Sequence, residues 1–454
     1  MSNLAAIILA AGKGTRMKSD LPKVLHSVAG KPMLIHVLNA AEMAGCTQKI
    51  VIVGFGAGKV VSLMEDLAQT AEQKEQLGTG HAVMQAEALL KDFTGTVMVL
   101  CGDTPLLDGR DLSRFYQYHV ESKNIATVLT AILPDATGYG RVIRDKNSEV
   151  KKIVEQKDAT MEELTCKEIN TGIYCFDCKS LFEALKTIDC NNAQGEYYLT
   201  DVIAKLVDKG AIVGAFSATD KETVVGINSR IQLAQAEKWL REKINTRLME
   251  GGVTIVDPNT TYIDADVTIG RDTIIYPLTW LEGDTTIGEE CSVGPNTRLC
   301  NVTVGNGCTL HFSYAHDAVL GKDVTVGPYV HIRPGSRLAD NVKVGNFVEV
   351  KNSWVGAGTK LPHLSYIGDA DIGENVNMGC GSITVNYDGK QKRRTTINDN
   401  AFVGCNSNLI APVTIGEGAY IGAGSTINKD VPPEALSVER SKQKNIENWK
   451  KRQI

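Results

Sequence analysis

Apolar residues in the first part of the chain fall into short unbroken runs: LAAIILA (4–10), KIVIVGF (49–55), TVMVLCGD (96–103) and IATVLTAI (125–132). Each is too short for a helix and lacks the alternation of a half-exposed strand. Each therefore reads as a strand buried on both faces. Segments with helical spacing lie between them, such as PMLIHVLNAAEMAG (32–45). Strands alternating with helices predict a parallel α/β sheet. In such sheets ligands bind beyond the carboxyl ends of the strands, which here end in glycine-containing turns.

The spacing then changes twice. Residues 229–250, SRIQLAQAEKWLREKINTRLME, contain neither glycine nor proline. Ile231, Leu233, Ala234, Trp239 and Leu240 give helical spacing, and Gly251-Gly252 ends the segment. This predicts one long helix that links two halves. After Gly252 an aliphatic residue recurs every six positions. The first series is Ile263, Ile269, Ile275, Leu281, Ile287, Val293 and Leu299, and the second runs from Leu320 to Val350. Val355, Leu361 and Ile367 follow, then Ile372 and Met378, and finally Ile397 to Ile427. A six-residue period predicts a parallel β-helix, with three hexads per coil and the aliphatic side chains pointing inward. One residue is lost after Val350 and again after Ile367. The polar segment VNYDGKQKRRTT (385–396) interrupts the repeat and must leave the coil as a loop.

The 454 residues are enough for two or three domains. A net charge of −5 gives no basic face for nucleic acid. No segment holds 18 apolar residues, which argues against a membrane span. The N-terminus lacks the basic start and cleavage site of a signal peptide. Eleven scattered cysteines fit a reduced compartment, the cytoplasm. The one CxxC, Cys175 and Cys178, has no second pair at zinc spacing and reads as ordinary thiols.

LAAGKGTRM (9–17) is neither a Walker A loop nor a GxGxxG turn. Its glycines still allow the backbone to approach a phosphate, and Lys13, Arg16 and nearby Lys23 supply positive charge. A tight strand-to-helix turn with surface charges is the plainer alternative. Asp103 alone would read as a turn aspartate. Asn228 alone would read as a helix cap, with Ser229 as a rival. In the β-helix, His363 in TKLPHLSYIGD serves no need of the repeat. Histidine is the natural base near neutral pH, and this one has a cationic and aromatic neighbourhood that the repeat does not require. His311, His316 and His331 have no such setting and read as surface or packing residues.

LAAGKGTRM followed by DLPKVL resembles the nucleotide loop of the sugar-nucleotide pyrophosphorylases. EQKEQLGTGHA, CGDTPLL, TGYGRV, IVEQKDA, EINTGIY and NNAQGEYYLTD follow in that family's order. With the hexapeptide half attached, nearly the whole chain resembles the bacterial bifunctional N-acetylglucosamine-1-phosphate uridylyltransferase/glucosamine-1-phosphate N-acetyltransferases. The resemblance implies an α/β fold: a Rossmann-like nucleotidyltransferase domain (1–229), a linker helix (230–250) and a left-handed parallel β-helix acetyltransferase domain (251–454). It implies synthesis of UDP-N-acetylglucosamine from glucosamine-1-phosphate, acetyl-CoA and UTP, with Mg²⁺, in a homotrimer.

The resemblance also implies residue roles. Leu9, Ala10, Ala11 and Gly12 would meet the nucleotide, continued by Cys101, Gly102 and Asp103. Gln73, Gly78 and Thr79 would recognise uracil. Asp103 and Asn228 would hold the metal. Gly140, Glu155 and Asn170 would grip the sugar, while Arg16 and Lys23 face the phosphates. In the second half His363 would be the general base and Glu349 would orient or polarise it. Arg333, Glu349, Lys351, Tyr366 and Asn377 would bind the sugar phosphate. Asn386 and Tyr387 would contact acetyl-CoA, and Cys380, Cys405, Ala423 and Arg440 would line its channel. The chain departs from the family at Leu361-Pro362, where small residues are usual, and at Cys380 and Cys405, where alanine and serine are usual. A nucleotidyltransferase with a purely structural β-helix is the main competing reading, and a non-enzymatic scaffold is the other. The set His363, Lys351, Tyr366 and Asn386 argues against the first, and Asp103, Lys23 and Arg16 against the second.

Overall fold

The computed structural model describes residues 3–452. The chain divides into two compact units, Met1–Leu240 and Arg241–Ile454. The helix Arg230–Glu250 runs through the division.

The first unit is built on a nine-stranded sheet. Its strands are β1 (Leu4–Leu9), β2 (Gln48–Val53), β3 (Gln69–Glu72), β4 (Thr96–Cys101), β5 (Ala126–Ile132), β6 (Arg141–Arg144), β7 (Val150–Val154), β8 (Glu168–Asp177) and β9 (Val213–Ser217). The order is β9-β5-β8-β4-β1-β2-β3, with the β6–β7 hairpin attached to β8. Strand β1 is parallel to β2 and β4, as the buried runs predict. The sheet is nevertheless mixed, because β8 runs antiparallel to β4, β5 and β6. The segment before β8 is the β6–β7 hairpin, so the chain enters β8 without the crossover helix that a parallel strand needs. Alternate residues of the central strands feed two separate cores. Ile7, Val97 and Val99 face one layer of helices, and Ile8, Met98 and Leu100 face the other.

In the second unit short strands stack in register, coil upon coil. Val344 lies beside Leu361, Glu349 beside Tyr366 and Trp354 beside Asp371. The six-residue set is inward: Ile275, Leu281, Val293, Leu299, Leu361 and Ile367 have no accessible surface. Where six-residue counting fails, between Leu299 and Leu320, the buried residues in register with the column are Val304, Leu310 and Ala315, beside Ile287, Val293 and Leu299. The turns there lose a residue while the strands stay aligned, so the core column continues without the sequence period. The polar insert is also narrower than its sequence suggests. Ile383–Val385 and Thr395–Ile397 are strands, leaving 386–394 as the loop. Thr384 takes an inward position, and its hydroxyl is occupied by the Gly368 N–H at 2.7 Å and the Gly368 carbonyl at 3.0 Å. A fully buried hydroxyl is tolerated because both its roles are filled.

Candidate functional sites

The first site lies at the carboxyl ends of β1 and β4, adjacent parallel strands. A cleft of about 310 Å³ is lined by Leu9, Ala10, Ala11, Gly12, Lys23, Gln73, Gly78, Thr79, Cys101 and Asp103, together with Gln76 and Glu196. Gly14 adopts φ 58°, and a Cβ there would lie 2.6 Å from the Lys23 side chain, so only glycine lets the loop settle on that lysine. Lys13 and Arg16 stand on the exposed part of the same loop, outside the cleft lining. The Tyr139 hydroxyl lies within electrostatic reach of both Asp103 and Arg16. Burial raises its pKa, Asp103 raises it further, and Arg16 opposes both.

Lys23 donates to the Asp103 carboxylate and, at 2.9 Å, to Asn228 Oδ1. Two oxygens from segments far apart in sequence thus converge on one cation. Asn228 is free for this because Ser229 caps the helix instead, its Oγ accepting from Gln232 N at 3.2 Å. The Asn228 amide nitrogen donates to the Gly226 carbonyl, which leaves Oδ1 turned toward Lys23. A carboxylate and an amide oxygen suit Mg²⁺, which typically takes few protein ligands and completes its shell with phosphate and water. Among the described residues no group of three or more His, Cys, Asp or Glu forms a fuller metal cage.

Gln73 is buried, and its amide donates to the Gly78 carbonyl at 3.0 Å. It also meets His81 Nδ1 at 3.1 Å, which fixes which face the amide presents. His81 lies inside the quoted QLGTGHA motif but carried no role in the sequence reading. Gly140, Glu155 and Asn170 form a second group. A Cβ on Gly140 would lie 3.5 Å from both the Asn170 Cβ and Glu155 Oε2. Burial pushes the Glu155 carboxyl up, and Thr200 Oγ1 donates to it at 3.2 Å.

The second site is a product of coil stacking. In-register strands place outward side chains in columns about 4.8 Å apart per step. One column is His331, Glu349, Tyr366. Two residues further along the coil stand Arg333 and Lys351. Arg333 Nη1 donates to Glu349 Oε1 at 2.7 Å. Lys351 Nζ donates to Asp369 Oδ2 at 3.1 Å. Asp369 is 5% exposed and also accepts from Asn352, at 2.6 Å, and from the Asn386 amide. Burial alone would raise its pKa, but these hydrogen bonds outweigh it and hold the carboxyl below the usual range. One buried carboxylate therefore fixes Lys351 and the first residue of the polar loop. Arg394 fixes the other end through Asp371.

His363 lies in the turn that follows Leu361 and is exposed. Its Nδ1 meets Asn346 Oδ1 at 2.6 Å. An oxygen at that place accepts from Nδ1–H, which leaves the lone pair on Nε2. Glu349, expected to orient or polarise this base, is here engaged by Arg333, while Asn346 holds the imidazole. The turn backbones are laddered: Leu364 N donates to Asn346 O, Gly381 N to His363 O, Asn406 N to Cys380 O and Gly424 N to Cys405 O. Asn346, His363, Cys380, Cys405 and Ala423 thus occupy one position in five successive turns. At the far end Arg440 Nη1 donates to Ala423 O at 2.8 Å. Tyr387 is exposed, with its hydroxyl on Gly389 O at 2.8 Å.

A hollow of about 450 Å³ is lined by Tyr329, His331, Phe347, Glu349, Leu364 and Tyr366. Asn377 is not brought to it. It pairs with Lys360 and Phe402, on the face before the His363 turn, whereas Lys351 and Tyr366 lie on the face after it. A larger hollow of about 780 Å³, around Trp280, Arg298 and Tyr314, contains none of the predicted residues. His331 stacks on Tyr314 with ring centroids 5.1 Å apart, a packing role.

A nucleotidyl transferase family profile matches residues 5–240. A profile of six bacterial transferase hexapeptide repeats matches residues 317–352 and 394–429. The bifunctional protein GlmU of Geobacillus sp. (strain WCH70) is 55% identical over 444 residues, covering 98% of this chain and 97% of that protein. The bifunctional protein GlmU of Halalkalibacterium halodurans is 54% identical over 449 residues, 99% of each chain. That of Caldanaerobacter subterraneus subsp. tengcongensis is 53% identical over 454 residues, all of this chain and 99% of its own.

Proposed function

This chain belongs to the bifunctional GlmU family, and from that premise we propose how its residues divide the synthesis of UDP-N-acetylglucosamine. Residues 251–454 acetylate the amine of glucosamine-1-phosphate with acetyl-CoA. Residues 1–229 then join N-acetylglucosamine-1-phosphate to UTP and release pyrophosphate, and residues 230–250 link the two. The observation that carries this reading is the coexistence of the Lys23–Asp103–Asn228 cleft with an oriented, exposed histidine on the β-helix.

For uridylyl transfer, Gln73, with Gly78 and Thr79, offers amide and backbone groups to the imide edge of uracil. Gly140, Glu155 and Asn170 receive the sugar. The sugar-phosphate oxygen is already nucleophilic, so the protein needs to supply position and counter-charge rather than a base. Asp103 and Asn228 are the residues that would hold Mg²⁺, which when bound neutralises phosphate charge. Lys23 then has the triphosphate as its partner, with Arg16 reaching in from the loop.

For acetyl transfer, Nε2 of His363 takes a proton from the glucosamine amine as the nitrogen attacks the thioester carbon. Arg333 and Lys351 hold the sugar phosphate, with Glu349 and Tyr366 beside it. Asn386 and Tyr387 meet acetyl-CoA at the loop. The turn ridge from His363 through Cys380 and Cys405 to Ala423 and Arg440 carries the coenzyme. Three coil steps separate His363 from the turn that Arg440 grips, about 15 Å. That span suits an extended pantetheine arm, with the arginine left for the coenzyme phosphates.

The oligomer in this reading is a homotrimer with the acetyl site shared between subunits. Two features support it. Asn377 lies across the turn from the rest of its set. Phe312, Tyr329, Phe347 and Leu364 form an exposed apolar row beside the His363 turn, of a kind usually covered in an assembly. The substrates place the enzyme in the cytoplasm, and no helix among the described residues is long and apolar enough to cross a membrane.

Supplied with glucosamine-1-phosphate, acetyl-CoA, UTP and Mg²⁺, the protein is expected to release CoA and form UDP-N-acetylglucosamine. The two products are measured separately. Nucleotide sugar from N-acetylglucosamine-1-phosphate without any CoA release would reduce the β-helix to a structural role. Asn346 gives a finer test. Asn346→Ala should lower kcat for acetyl transfer roughly 10- to 100-fold by freeing the imidazole, with little change in KM for the sugar phosphate. Asn346→Asp, which keeps an acceptor, should restore most of it. Equal rates in all three proteins would remove Asn346 from the mechanism.

A further inference from the structure

Cys380 and Cys405 stand at the same position of adjacent turns, next to His363 in the column. Asn406 N donates to Cys380 O at 2.7 Å, and a Cβ added to Gly379 would lie 2.5 Å from Cys405 N. The two backbones are therefore at laddered-strand spacing, about 4.8 Å, inside the Cα range that a disulfide spans. Equivalent turn positions send both side chains out of the coil in the same direction. Both thiols are free, Cys405 is exposed and Cys380 is half-buried.

We propose that Cys380 and Cys405 form a reversible dithiol–disulfide site that switches acetyl transfer off when oxidised. The oxidant class is a low-molecular-weight disulfide. The Cys405 thiolate attacks one sulfur of the reagent, forming a mixed disulfide and expelling one reagent thiolate. The Cys380 thiolate then attacks the Cys405 sulfur, closes the protein disulfide and expels the second. Two electrons pass to the reagent, and the two cysteine protons end on its two thiols. Parallel in-register positions hold the Cβ atoms near the Cα spacing, wider than the 3.8 Å or so that a relaxed disulfide prefers. Closing the bond draws the two turns together beside His363. A strained, exposed bond of this kind is readily reduced again. The switching effect rests on the reading of this ridge as the coenzyme path.

Cys291 and Cys308 provide an internal comparison. They are stacked coil on coil in the same way, with Ser292 N on Cys308 O at 2.8 Å, but both are buried and shielded from the reagent.

The test uses the full-length enzyme incubated with oxidised glutathione or with dithiothreitol. Peptide mass spectrometry should find a Cys380–Cys405 cross-link two hydrogens lighter, and no Cys291–Cys308 link. Acetyl transfer should fall at least ten-fold after oxidation and return with dithiothreitol, while uridylyl transfer stays unchanged. In Cys405→Ser, which removes the attacking thiol, acetyl transfer read as its own oxidised-to-reduced ratio should no longer respond, while Cys380→Ala should show only the mixed disulfide on Cys405 and no cross-link. The proposal is overturned by absence of the cross-link, by a cross-link without loss of acetyl transfer, or by equal loss in Cys405→Ser. A failure of the ridge reading shows separately, as acetyl transfer that survives His363→Ala.

Discussion

Asp103→Ala is expected to lower uridylyl transfer by about 10³-fold, the scale seen when a preorganised charge-stabilising group is removed from a reaction centre. The carboxylate is one of two oxygens that converge on the Lys23 ammonium, and its backbone carbonyl accepts from Ile227 N at 2.9 Å, which keeps the Asn228 segment in place. Alanine preserves that backbone bond and removes only the charge. The remaining amide oxygen is too weak a partner to assemble a divalent cation with the triphosphate. Acetyl transfer in the same protein serves as the folding control and should stay within about two-fold of wild type, since distant independent sites behave additively. Uridylyl transfer at a near-normal rate would sink the metal assignment and leave Asp103 as a turn residue.

The reciprocal result is expected from His363→Ala: acetyl transfer down by about 10²- to 10⁴-fold, the usual contribution of a positioned general base, with uridylyl transfer intact. The side chain is exposed and its Nδ1 is committed to Asn346, so its removal leaves no buried cavity and no loss of core contacts. The inward residue of that turn is Leu361, which is untouched. A stability defect would therefore be an unexpected cause of lost activity. Titration of free CoA release at saturating glucosamine-1-phosphate separates the two. Unchanged kcat would reject the assignment outright.

Much of this architecture can be read from residue spacing. The hexad rule finds Leu361 and Ile367 because their burial sets the period. It misses Val304, Leu310 and Ala315 because a turn can shorten by one residue while the strands on either side remain paired. It also misses Thr384, an inward hydroxyl that no hydrophobic count would select. Strand β8 is recognisable as buried, but burial says nothing of direction, and the antiparallel entry from the β6–β7 hairpin is a matter of connection. At the sites, the family motifs brought Leu9, Gln73, Lys23 and Asp103 to notice, and these line one cleft. The partners that set their chemistry were less visible. Asn346 and Asp369 carry no motif of their own. Each lies one coil before the residue it holds, Asn346 before His363 and Asp369 before Asn386, so the repeat period itself was the signal that could have named them. The hydrogen bond that Arg333 donates to Glu349 is likewise not legible in the sequence, since the register sets Glu349 between His331 and Tyr366 and the arginine reaches it from two residues further along the preceding coil.

The turn ladder has a consequence for length. Along a solenoid, separation between two outward groups changes only by whole coils, each about 4.8 Å. The gap between the His363 imidazole and the turn that Arg440 grips is therefore a graduated scale rather than an adjustable span. Removing one coil between Met378 and Ile421 would shorten it by one graduation and leave every core contact type unchanged. A thioester carrier of the original length would then overshoot, with its phosphates past the arginine or its acetyl group past the amine. Carrier selection in such a protein is a question of counting repeats.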